Sequence, residues 1–482
     1  MQFAVIQRIL GLLLLPFSLT MLPPLGISLL YGDGVVLPFL LAFFIILSGG
    51  LILWWPVRGF HRDLRLRDGF VVVTMFWAVL GITGALPLML AEHPHMPFTD
   101  AVFESVSGLT TTGATVLTGI DALPPSILFY RQELQWLGGM GIIVLALAVL
   151  PMLGVGGMQL YRAEMPGPTK DKLTPRIAET AKALWYIYLA LTVACALAYW
   201  FAGMSGFDAI THSFATLSTG GFSTHDASMG YFESPLIEMI AVVFMLLAGV
   251  NFSLHFVAWH SFSVKPYFRD PEFRTYLFVL GGASLVTIAY LYLTGTFLEV
   301  TEDIHHGLFQ VVSIATSTGF TTANFSAWPD FLPVLLIFIS FIGGCAGSTA
   351  GGMKVIRFLL LFKQGVREVI RLIHPNAQVP IKVGPFTLNE RLVDSVWGFF
   401  AAYVATFALM LLALMATGLD QVTAFSAVAA CINNLGPGLG KVAAHFGDIN
   451  AFAKWVLAFA MIMGRLEIFT VLVLLTPAFW RR

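Results

Sequence analysis

Charged residues are scarce in this 482-residue sequence, because only 11% of the residues are Asp, Glu, Lys or Arg. A soluble domain carries about 25% charged residues, so the chain lacks the polar surface that a soluble enzyme or a disordered protein needs. Its 26 basic and 27 acidic residues also leave no positive field that would attract nucleic acid. With 57% hydrophobic residues and a mean hydropathy of +0.83, the sequence predicts an integral membrane protein in contact with the lipid bilayer.

Cysteine and catalytic motifs are scarce as well. Cys195, Cys345 and Cys431 lie far apart in apolar stretches, which excludes a disulfide framework and a CxxC metal site. The sequence has no HExxH, GxSxG or GxxxxGK[ST] motif, and its 11 histidines are scattered. We therefore expect no catalytic residue, no cofactor bound by this chain and no metal ion except a transported one. A polytopic membrane enzyme is the less favoured alternative.

Ten apolar stretches are long enough to cross a bilayer, for which about 20 residues are needed. They lie near 5–30, 35–56, 69–91, 134–155, 181–203, 235–260, 275–297, 331–362, 393–417 and 452–479. Most Lys and Arg residues fall on one side of this arrangement, which the positive-inside rule makes cytoplasmic. These basic clusters occupy 58–67, 162–182, 265–274, 354–391 and 481–482. Both termini are therefore predicted to be cytoplasmic.

Four shorter, semi-apolar segments each lie between two full spans and end in glycine after Thr, Ser or Asn. They occupy 98–118, 207–224, 303–322 and 420–440, and each has an acid near its start (Asp100, Asp208, Asp303 and Asp420). Irregular backbone at membrane depth is tolerated only where it is buried in protein or lines a water-filled cavity. Each segment is therefore predicted to be a re-entrant pore helix followed by a loop, entering from the outer side.

The four segments resemble one another when they are aligned on Gly113, Gly220, Gly319 and Gly436, which recur roughly every 100 residues. This predicts an all-α membrane fold with four pseudo-repeated units of span, pore helix and span around one pore. Two extra transmembrane helices precede the first unit. The predicted boundaries are 1–68 for the extra helices and 69–175, 176–273, 274–388 and 389–482 for the four units.

The loops after the short helices favour cation chemistry. Glycine allows the backbone to turn its carbonyls inward, and rings of such carbonyls replace the hydration shell of K⁺. Neutral flanking residues fit this role, whereas a ring of carboxylates would indicate divalent or weakly selective conduction. The predicted selectivity-filter residues are Thr111, Thr112, Gly113, Ser218, Thr219, Gly220, Ser317, Thr318, Gly319, Asn434, Leu435 and Gly436.

The eighth apolar stretch holds five glycines within residues 343–352, and each helix-interior glycine costs about 1 kcal/mol relative to alanine. We expect this stretch to break the helix and form a gating loop in the membrane, with Lys354 anchoring its end. The alternative is a helical packing face of small residues. The predicted gating residues are Gly343, Gly344, Gly347, Ser348, Thr349, Gly351, Gly352 and Lys354.

Arg465 and Glu467 lie in the middle of the last apolar stretch, where ionisable groups are costly and indicate function. They are two residues apart, so they face different sides of a helix and need not pair with each other. Arg465 is a candidate pore charge. The alternative is a buried ion pair between helices, for example with Glu104, and the two interpretations are compatible.

The four loops, the two extra spans and the sequence GGCAGSTAGGMKVIR at 343–357 resemble the Trk/Ktr/HKT superfamily of K⁺ transporters, and most closely its TrkH family. The resemblance covers the whole chain. It implies K⁺ uptake across the bacterial inner membrane, by a symporter or a channel, with an intramembrane gate and Arg465 facing the pore. Gly113 implies K⁺ preference, because plant relatives with Na⁺ selectivity have Ser there. An Na⁺-coupled or Na⁺-conducting relative, similar to KtrB or HKT, remains the alternative.

The same resemblance implies a homodimer and a cytosolic TrkA-like ring. The ring would bind NAD and ATP, and its contact is expected at the basic loops 162–182 and 354–391. The fourth loop departs from the Thr-Gly pattern, since it reads Asn434-Leu435-Gly436-Pro437. This predicts a filter that is less symmetric than that of tetrameric K⁺ channels and discriminates less sharply among K⁺, Rb⁺ and Na⁺.

Overall fold

The computed structural model describes residues 1–60, 66–144, 177–329, 331–384, 386–388 and 390–481. The chain begins with α1 (Phe3–Leu19) and α2 (Leu22–Tyr31), which together form one span, followed by α3 (Val36–Trp54). Helices α1 and α3 pack closely because Gly11 faces the backbone of Trp54, where a Cβ would lie 2.7 Å from the Trp54 nitrogen. The prediction of two transmembrane helices ahead of the first unit is confirmed.

The first unit contains α4 (Leu66–Thr83) and α5 (Leu86–Leu90), the short helix α6 (Phe98–Leu109) and α7 (Pro125–Val144). The second contains α8 (Ile177–Phe201), the short helix α9 (Gly206–Leu217), α10 (Pro235–Ala248) and α11 (Phe252–Ser261). Both have the predicted order of span, short helix and span. The predicted fourth span, 134–155, begins earlier, at Pro125, and its part beyond residue 144 lies outside the described residues.

The third unit contains α12 (Lys265–Arg269), α13 (Pro271–Thr294), the short helix α14 (Val300–Ala315), α15 (Phe331–Ser340) and α16 (Val355–Ile373). A small antiparallel hairpin of β1 (Lys382–Val383) and β2 (Phe386–Thr387) follows, in which Lys382 pairs with Thr387. The fourth unit contains α17 (Glu390–Met415), the short helix α18 (Gln421–Ile432), α19 (Ala451–Arg465), α20 (Phe469–Leu475) and α21 (Pro477–Trp480).

Six helical spans in the described part of the chain are long and apolar enough to cross a membrane. They are Phe3–Tyr31, Val36–Val57, Arg67–Leu90, Lys182–Phe201, Pro271–Thr294 and Val393–Met415, and they match six of the ten predicted stretches. Large apolar side chains such as Leu29, Phe278 and Leu293 are exposed on these helices, as contact with lipid requires.

Two predicted spans, 235–260 and 452–479, each consist of two helices that meet at a sharp bend. The chain bends by 95° between α10 and α11 and by 118° between α19 and α20. The first break is stabilised by the glycine-rich segment, because Cys345 donates its N–H to the Gly249 carbonyl (2.9 Å) and Phe252 donates to Gly347 (3.1 Å). A local sequence pattern does not reveal these partners, which lie about a hundred residues away along the chain.

The short helices are the most buried elements, and their ends follow local rules. The Ser205 hydroxyl accepts a hydrogen bond from the Asp208 N–H at the start of α9, and the Asp420 carboxylate accepts one from Thr423 at the start of α18. In α6 every residue from 101 to 109 is buried. The spans therefore surround a core made of the four short helices and the loops that follow them.

Candidate functional site

The loops that follow the four short helices share one backbone conformation. In each loop the second residue after the helix has a φ of 53–55°, and the fourth, a glycine, has a φ of 77–98°. The second residues are Thr111, Thr219, Ser317 and Asn434, and the glycines are Gly113, Gly221, Gly319 and Gly436. Glycine adopts positive φ without a steric penalty, which explains its presence at the fourth position of every loop.

The N–H groups of the loops are held by their own short helices. At the third position the N–H donates to a carbonyl in the last turn of the helix, at 2.8 Å in all four loops. These bonds are Thr112 to Ser107, Gly220 to Ala215, Thr318 to Ser313 and Leu435 to Ala430. Where residues with positive φ alternate with residues with negative φ, successive backbone N–H groups point to the same side. Because these N–H groups point at the helix ends, the carbonyls are turned away from them.

The geometry corrects the alignment of the second loop by one residue. Gly221 has the backbone conformation of Gly113, whereas Gly220 occupies the third position, where the first loop has Thr112. Ser218 is accordingly the C-cap of α9, and the equivalent triad is Thr219, Gly220 and Gly221. Two adjacent glycines made the register ambiguous in the sequence, because either can be aligned with the single glycine of the other loops.

The four loops meet in a closed ring. A Cβ added to any of the four glycines would overlap the third-position carbonyl oxygen of a neighbouring loop. Gly113 faces the Gly220 carbonyl, Gly221 that of Thr318, Gly319 that of Leu435 and Gly436 that of Thr112. Each loop thus contacts the next, and the fourth contacts the first. The approach is possible only because none of the four residues has a side chain.

A cavity of about 530 Å³ opens on one side of this ring. Its lining includes the four ring glycines together with Arg131, His225 and Asn324, but not Gly220, in agreement with the corrected register. The ring itself has no ionisable side chain. In the described part of the chain, no group of three or more His, Cys, Asp and Glu side chains could hold a metal ion.

A buried ion pair joins the first two loops beside this cavity. The Arg131 Nε lies 2.9 Å from a Glu104 carboxylate oxygen, and both side chains are 1% exposed. Glu104 also accepts hydrogen bonds from the Thr115 hydroxyl and the Val116 N–H, while Arg131 donates to the Ser223 carbonyl at 3.2 Å. The partner of Glu104 is therefore Arg131 and not Arg465, the example named from the sequence.

Gln135, four residues further along α7, was not among the predicted site residues. Its Nε2 donates to the Gly220 carbonyl at 2.6 Å, and its Oε1 accepts the Phe222 N–H at 3.0 Å. The side chain is completely buried. Gln135 follows Arg131, Gln132 and Glu133 in the same helix, and this group of polar residues at the start of a predicted span is the signal that could have identified it.

The glycine-rich stretch lies between α15 and α16 and is not helical from residue 341 to residue 354. Gly343, Gly347 and Gly352 have φ values of 71–74°, which a helix does not allow. The predicted helix break is confirmed, and the alternative of a helical packing face is wrong.

The same stretch packs directly against the loops of the ring. Its Gly351 donates to the Ser317 hydroxyl, and a Cβ on Gly351 would overlap the Asn433 carbonyl. The Thr349 hydroxyl donates to the Leu217 carbonyl, at the end of α9, at 3.0 Å. The stretch therefore contacts the second, third and fourth loops at once.

Glu272 binds both the glycine-rich stretch and the first turn of α16, and it lies just outside the span predicted at 275–297. One of its carboxylate oxygens accepts the Ala346 N–H at 2.7 Å and the Ile356 N–H at 3.2 Å. Lys354 has a φ of 77° and donates through Nζ to the Ala350 carbonyl, within the same stretch. The carboxylate thus connects the middle of the stretch to the helix that follows it.

Arg465 and Glu467 have different partners, as their spacing predicted. Arg465 is 5% exposed and donates to the carbonyls of Thr349 (2.8 Å) and Gly138 (3.0 Å). Glu467 is paired with Arg357 of α16. Arg465 therefore links α19 to the glycine-rich stretch and to α7.

Outside the spans, His225 lies at the cavity between two carboxylates, Asp121 and Asp208. Its ring also stacks on Tyr231 with 3.4 Å between centroids. Burial lowers the pKa of His225, but its interactions with Asp208 and Asp121 outweigh burial and raise the pKa above 6.5.

Known proteins resemble this chain over its full length. Residues 38–482 match the family described as TrkH, cation transport protein. The "Trk system potassium uptake protein TrkH" of Vibrio parahaemolyticus is 60% identical over 100% of both chains, and the protein of that name from Escherichia coli K12 is 57% identical over 100% of both. The crystal structure of the potassium transporter TrkH from Vibrio parahaemolyticus superposes with a TM-score of 0.92, at 57% identity and with 100% of both chains covered.

Fold and similarity together define a mostly helical integral membrane protein of a cation-transport class, and not an enzyme. The chain belongs to the TrkH family of cation transport proteins.

Proposed function

We propose that this protein takes up K⁺ across the bacterial inner membrane through a pore whose selectivity filter is the ring of four loops. The observation that carries the proposal is the closed ring, in which four equivalent loops without ionisable side chains line one cavity. Carbonyl oxygens turned toward the centre of such a ring replace the water that a K⁺ ion loses on entry. The printed names of the relatives, potassium uptake proteins, support the choice of ion.

The short helices contribute to the same task. Each has an acid in its first turn or at its N-cap, and each ends at the ring. The C-terminal end of a helix carries a partial negative charge of roughly half an elementary charge, so four such ends stabilise a cation between them. The acids at the opposite ends are Asp100, Asp208, Asp303 and Asp420.

The filter consists of Thr111, Thr112, Gly113, Thr219, Gly220, Gly221, Ser317, Thr318, Gly319, Asn434, Leu435 and Gly436. Gly221 replaces Ser218 of the sequence-based set, because it shares the conformation of the other ring glycines. K⁺ is the transported ion and not a resident cofactor.

The glycine-rich stretch is the gate of the proposed pore. It contacts three of the four loops, so an ion that leaves the ring on that side meets the stretch. Arg465 donates to Thr349 and places a positive charge beside it, which opposes a cation. Deletion of residues 345–350 should therefore raise Rb⁺ flux. Unchanged flux through a folded deletion variant would contradict this gating role.

The chain works with partners and in a defined orientation. Both termini and the basic clusters are cytoplasmic, and the ring opens to the outer side. Two copies form a homodimer, and a cytosolic TrkA-like ring that binds NAD and ATP contacts the loops at 162–182 and 354–391. Within the second region, α16 exposes Phe362, Val369 and Leu372 beside Arg371, a surface suited to a protein partner.

The uptake proposal is tested in a bacterium that lacks its own K⁺ uptake systems. Expression of this chain with its TrkA-like partner should restore growth at low external K⁺ and should support Rb⁺ uptake. Gly113→Ser should lower the preference for K⁺ over Na⁺, because the new side chain overlaps the Gly220 carbonyl. Growth that responds to Na⁺ and not to K⁺ would favour the Na⁺-conducting alternative.

A further inference from the structure

The second loop lacks a side chain that the other loops have at the third position. The first, third and fourth loops have Thr112, Thr318 and Leu435 there, whereas the second has Gly220. In the first and third loops the hydroxyl of the third-position threonine forms a hydrogen bond with the threonine at the C-cap of the short helix, at 2.7 Å in both. The C-cap of the second short helix is Ser218, and the second loop has no third-position hydroxyl that could form a hydrogen bond with Ser218. Its backbone therefore needs support from elsewhere.

Gln135 occupies the place of the missing side chain. A Cβ added to Gly220 would lie on the carboxamide of Gln135, overlapping its Cδ. A backbone N–H can only donate, so the bond from Phe222 identifies the Gln135 oxygen and leaves Nε2 facing the Gly220 carbonyl. The two bonds bracket Gly221, the ring glycine of the second loop, on both sides.

We propose that Gln135 is the positioning residue of the second filter loop, and that its amide, supplied from the first unit, sets the preference for K⁺ over Na⁺. This inference rests on the proposed function of the ring as a filter. Nε2 holds the Gly220 carbonyl, one of the four third-position carbonyls that face the ring glycines. Without the bond this oxygen can move toward a smaller ion, which favours Na⁺.

The central experiment compares two glutamines on one helix. Gln135→Met keeps the volume of the side chain but loses both hydrogen bonds. Gln132→Met is the matched control, because Gln132 is equally buried in α7 and its one side-chain hydrogen bond within the described residues goes to the Phe222 carbonyl, at 3.4 Å, beyond the ring. We expect Gln135→Met to lower the K⁺ to Na⁺ permeability ratio about fivefold, the usual worth of a hydrogen bond. Gln132→Met should change the ratio by less than about twofold.

A rescue distinguishes positioning from general packing. Gly220→Thr alone forces its side chain onto Gln135 and should lower selectivity. Gln135→Ala alone should lower it because the carbonyl is released. The double variant Gln135→Ala, Gly220→Thr provides both the space and a hydroxyl that can bond Ser218, as Thr112 bonds Thr110 in the first loop. Its permeability ratio should recover toward that of the unchanged protein.

The measurement is the reversal potential, with K⁺ and Na⁺ on opposite sides of proteoliposomes that contain the purified full chain. Monodisperse elution in detergent verifies that each variant is folded. An unchanged ratio in Gln135→Met, or a double variant no better than Gln135→Ala, would overturn the role of Gln135. If Gly113→Ser also left the ratio unchanged, the filter assignment itself would fail. A response to Gly113→Ser without one to Gln135→Met would remove only the inference about Gln135.

Discussion

The guanidinium of Arg465 donates a hydrogen bond to the carbonyl of Thr349 at 2.8 Å. This bond joins the last long helix to the glycine-rich stretch below the ring. The hydroxyl of Thr349 donates in turn to Leu217, where the second short helix ends. A charge in α19 is therefore connected through Thr349 to the end of the helix that precedes the second loop, by way of the stretch that we propose as the gate.

Replacing Arg465 should open the pore. Arg465→Gln removes the positive charge and weakens the hold on Thr349, so Rb⁺ flux into proteoliposomes should rise several-fold. Arg371→Gln is the control, because Arg371 is partly exposed on α16 and forms ion pairs with the exposed carboxylates of Glu368 and Glu390. Flux in Arg465→Gln equal to that in Arg371→Gln would show that Arg465 does not limit conduction.

The corrected register of the second loop predicts different outcomes at two adjacent glycines. Gly221→Ala puts a Cβ on the Thr318 carbonyl at a φ of 77°, and neither backbone can move without opening the ring. Gly220→Ala meets the end of a flexible glutamine side chain, which can rotate away. We expect Gly221→Ala to lower Rb⁺ uptake more than about tenfold, the equivalent of about 1.4 kcal/mol, and Gly220→Ala to keep more of it. If Gly220→Ala lowered Rb⁺ uptake more than Gly221→Ala, then Gly220 and not Gly221 would be the ring glycine of the second loop.

Breaking the ion pair between Glu104 and Arg131 should destabilise the protein. Both side chains are 1% exposed, so Glu104→Ala leaves a buried guanidinium without its partner, at a cost of about 3 kcal/mol or more. The double variant Glu104→Gln, Arg131→Met should lower the free energy of unfolding by less than the sum of the losses in Glu104→Gln and in Arg131→Met alone. Thermal unfolding in detergent measures this, with Glu368→Ala at the surface as the control. A single change without effect on the unfolding temperature would mean that the pair contributes nothing.

His225, at the cavity beside the ring, should make stability depend on pH. Its pKa is raised in the folded protein, so its stabilising contribution is complete below the unfolded value of about 6.5. The contribution is lost as the pH rises through the folded pKa. The unfolding temperature of the unchanged protein relative to His225→Gln should therefore fall between about pH 6 and about pH 8. A constant difference across this range would contradict the pairing with Asp121 and Asp208.

The sequence predicted the fold well where the signal is local. Six spans are as expected from apolar length, and each short helix overlaps one of the four segments that interrupted the spans. The break at 341–354 followed from five glycines in ten residues, a penalty that no single helix absorbs. The spacing of Arg465 and Glu467 was also sufficient to predict that they have separate partners.

Prediction failed where distant segments determine the conformation. The bend at Gly249 depends on bonds to Cys345 and Gly347, and the register of the second loop depends on its contacts with the third. Glu272 and Gln135 each lie close in sequence to other polar residues, and the local sequence does not indicate which backbone groups they bond. For the same reason, the sequence did not reveal that Glu104 pairs with Arg131 and not with Arg465.

The sequence alone determined that this chain lies in a membrane, that it repeats four times and that its loops avoid charge. These properties follow from composition and periodicity, because burial in lipid and the conformational freedom of glycine act on each segment separately. Only the tertiary structure decided that Gly221 belongs to the ring, that Arg131 neutralises Glu104 and that Gln135 supplies the side chain Gly220 lacks. Those choices depend on which atoms of remote segments come within hydrogen-bonding distance, and only the packing of the four units sets that distance.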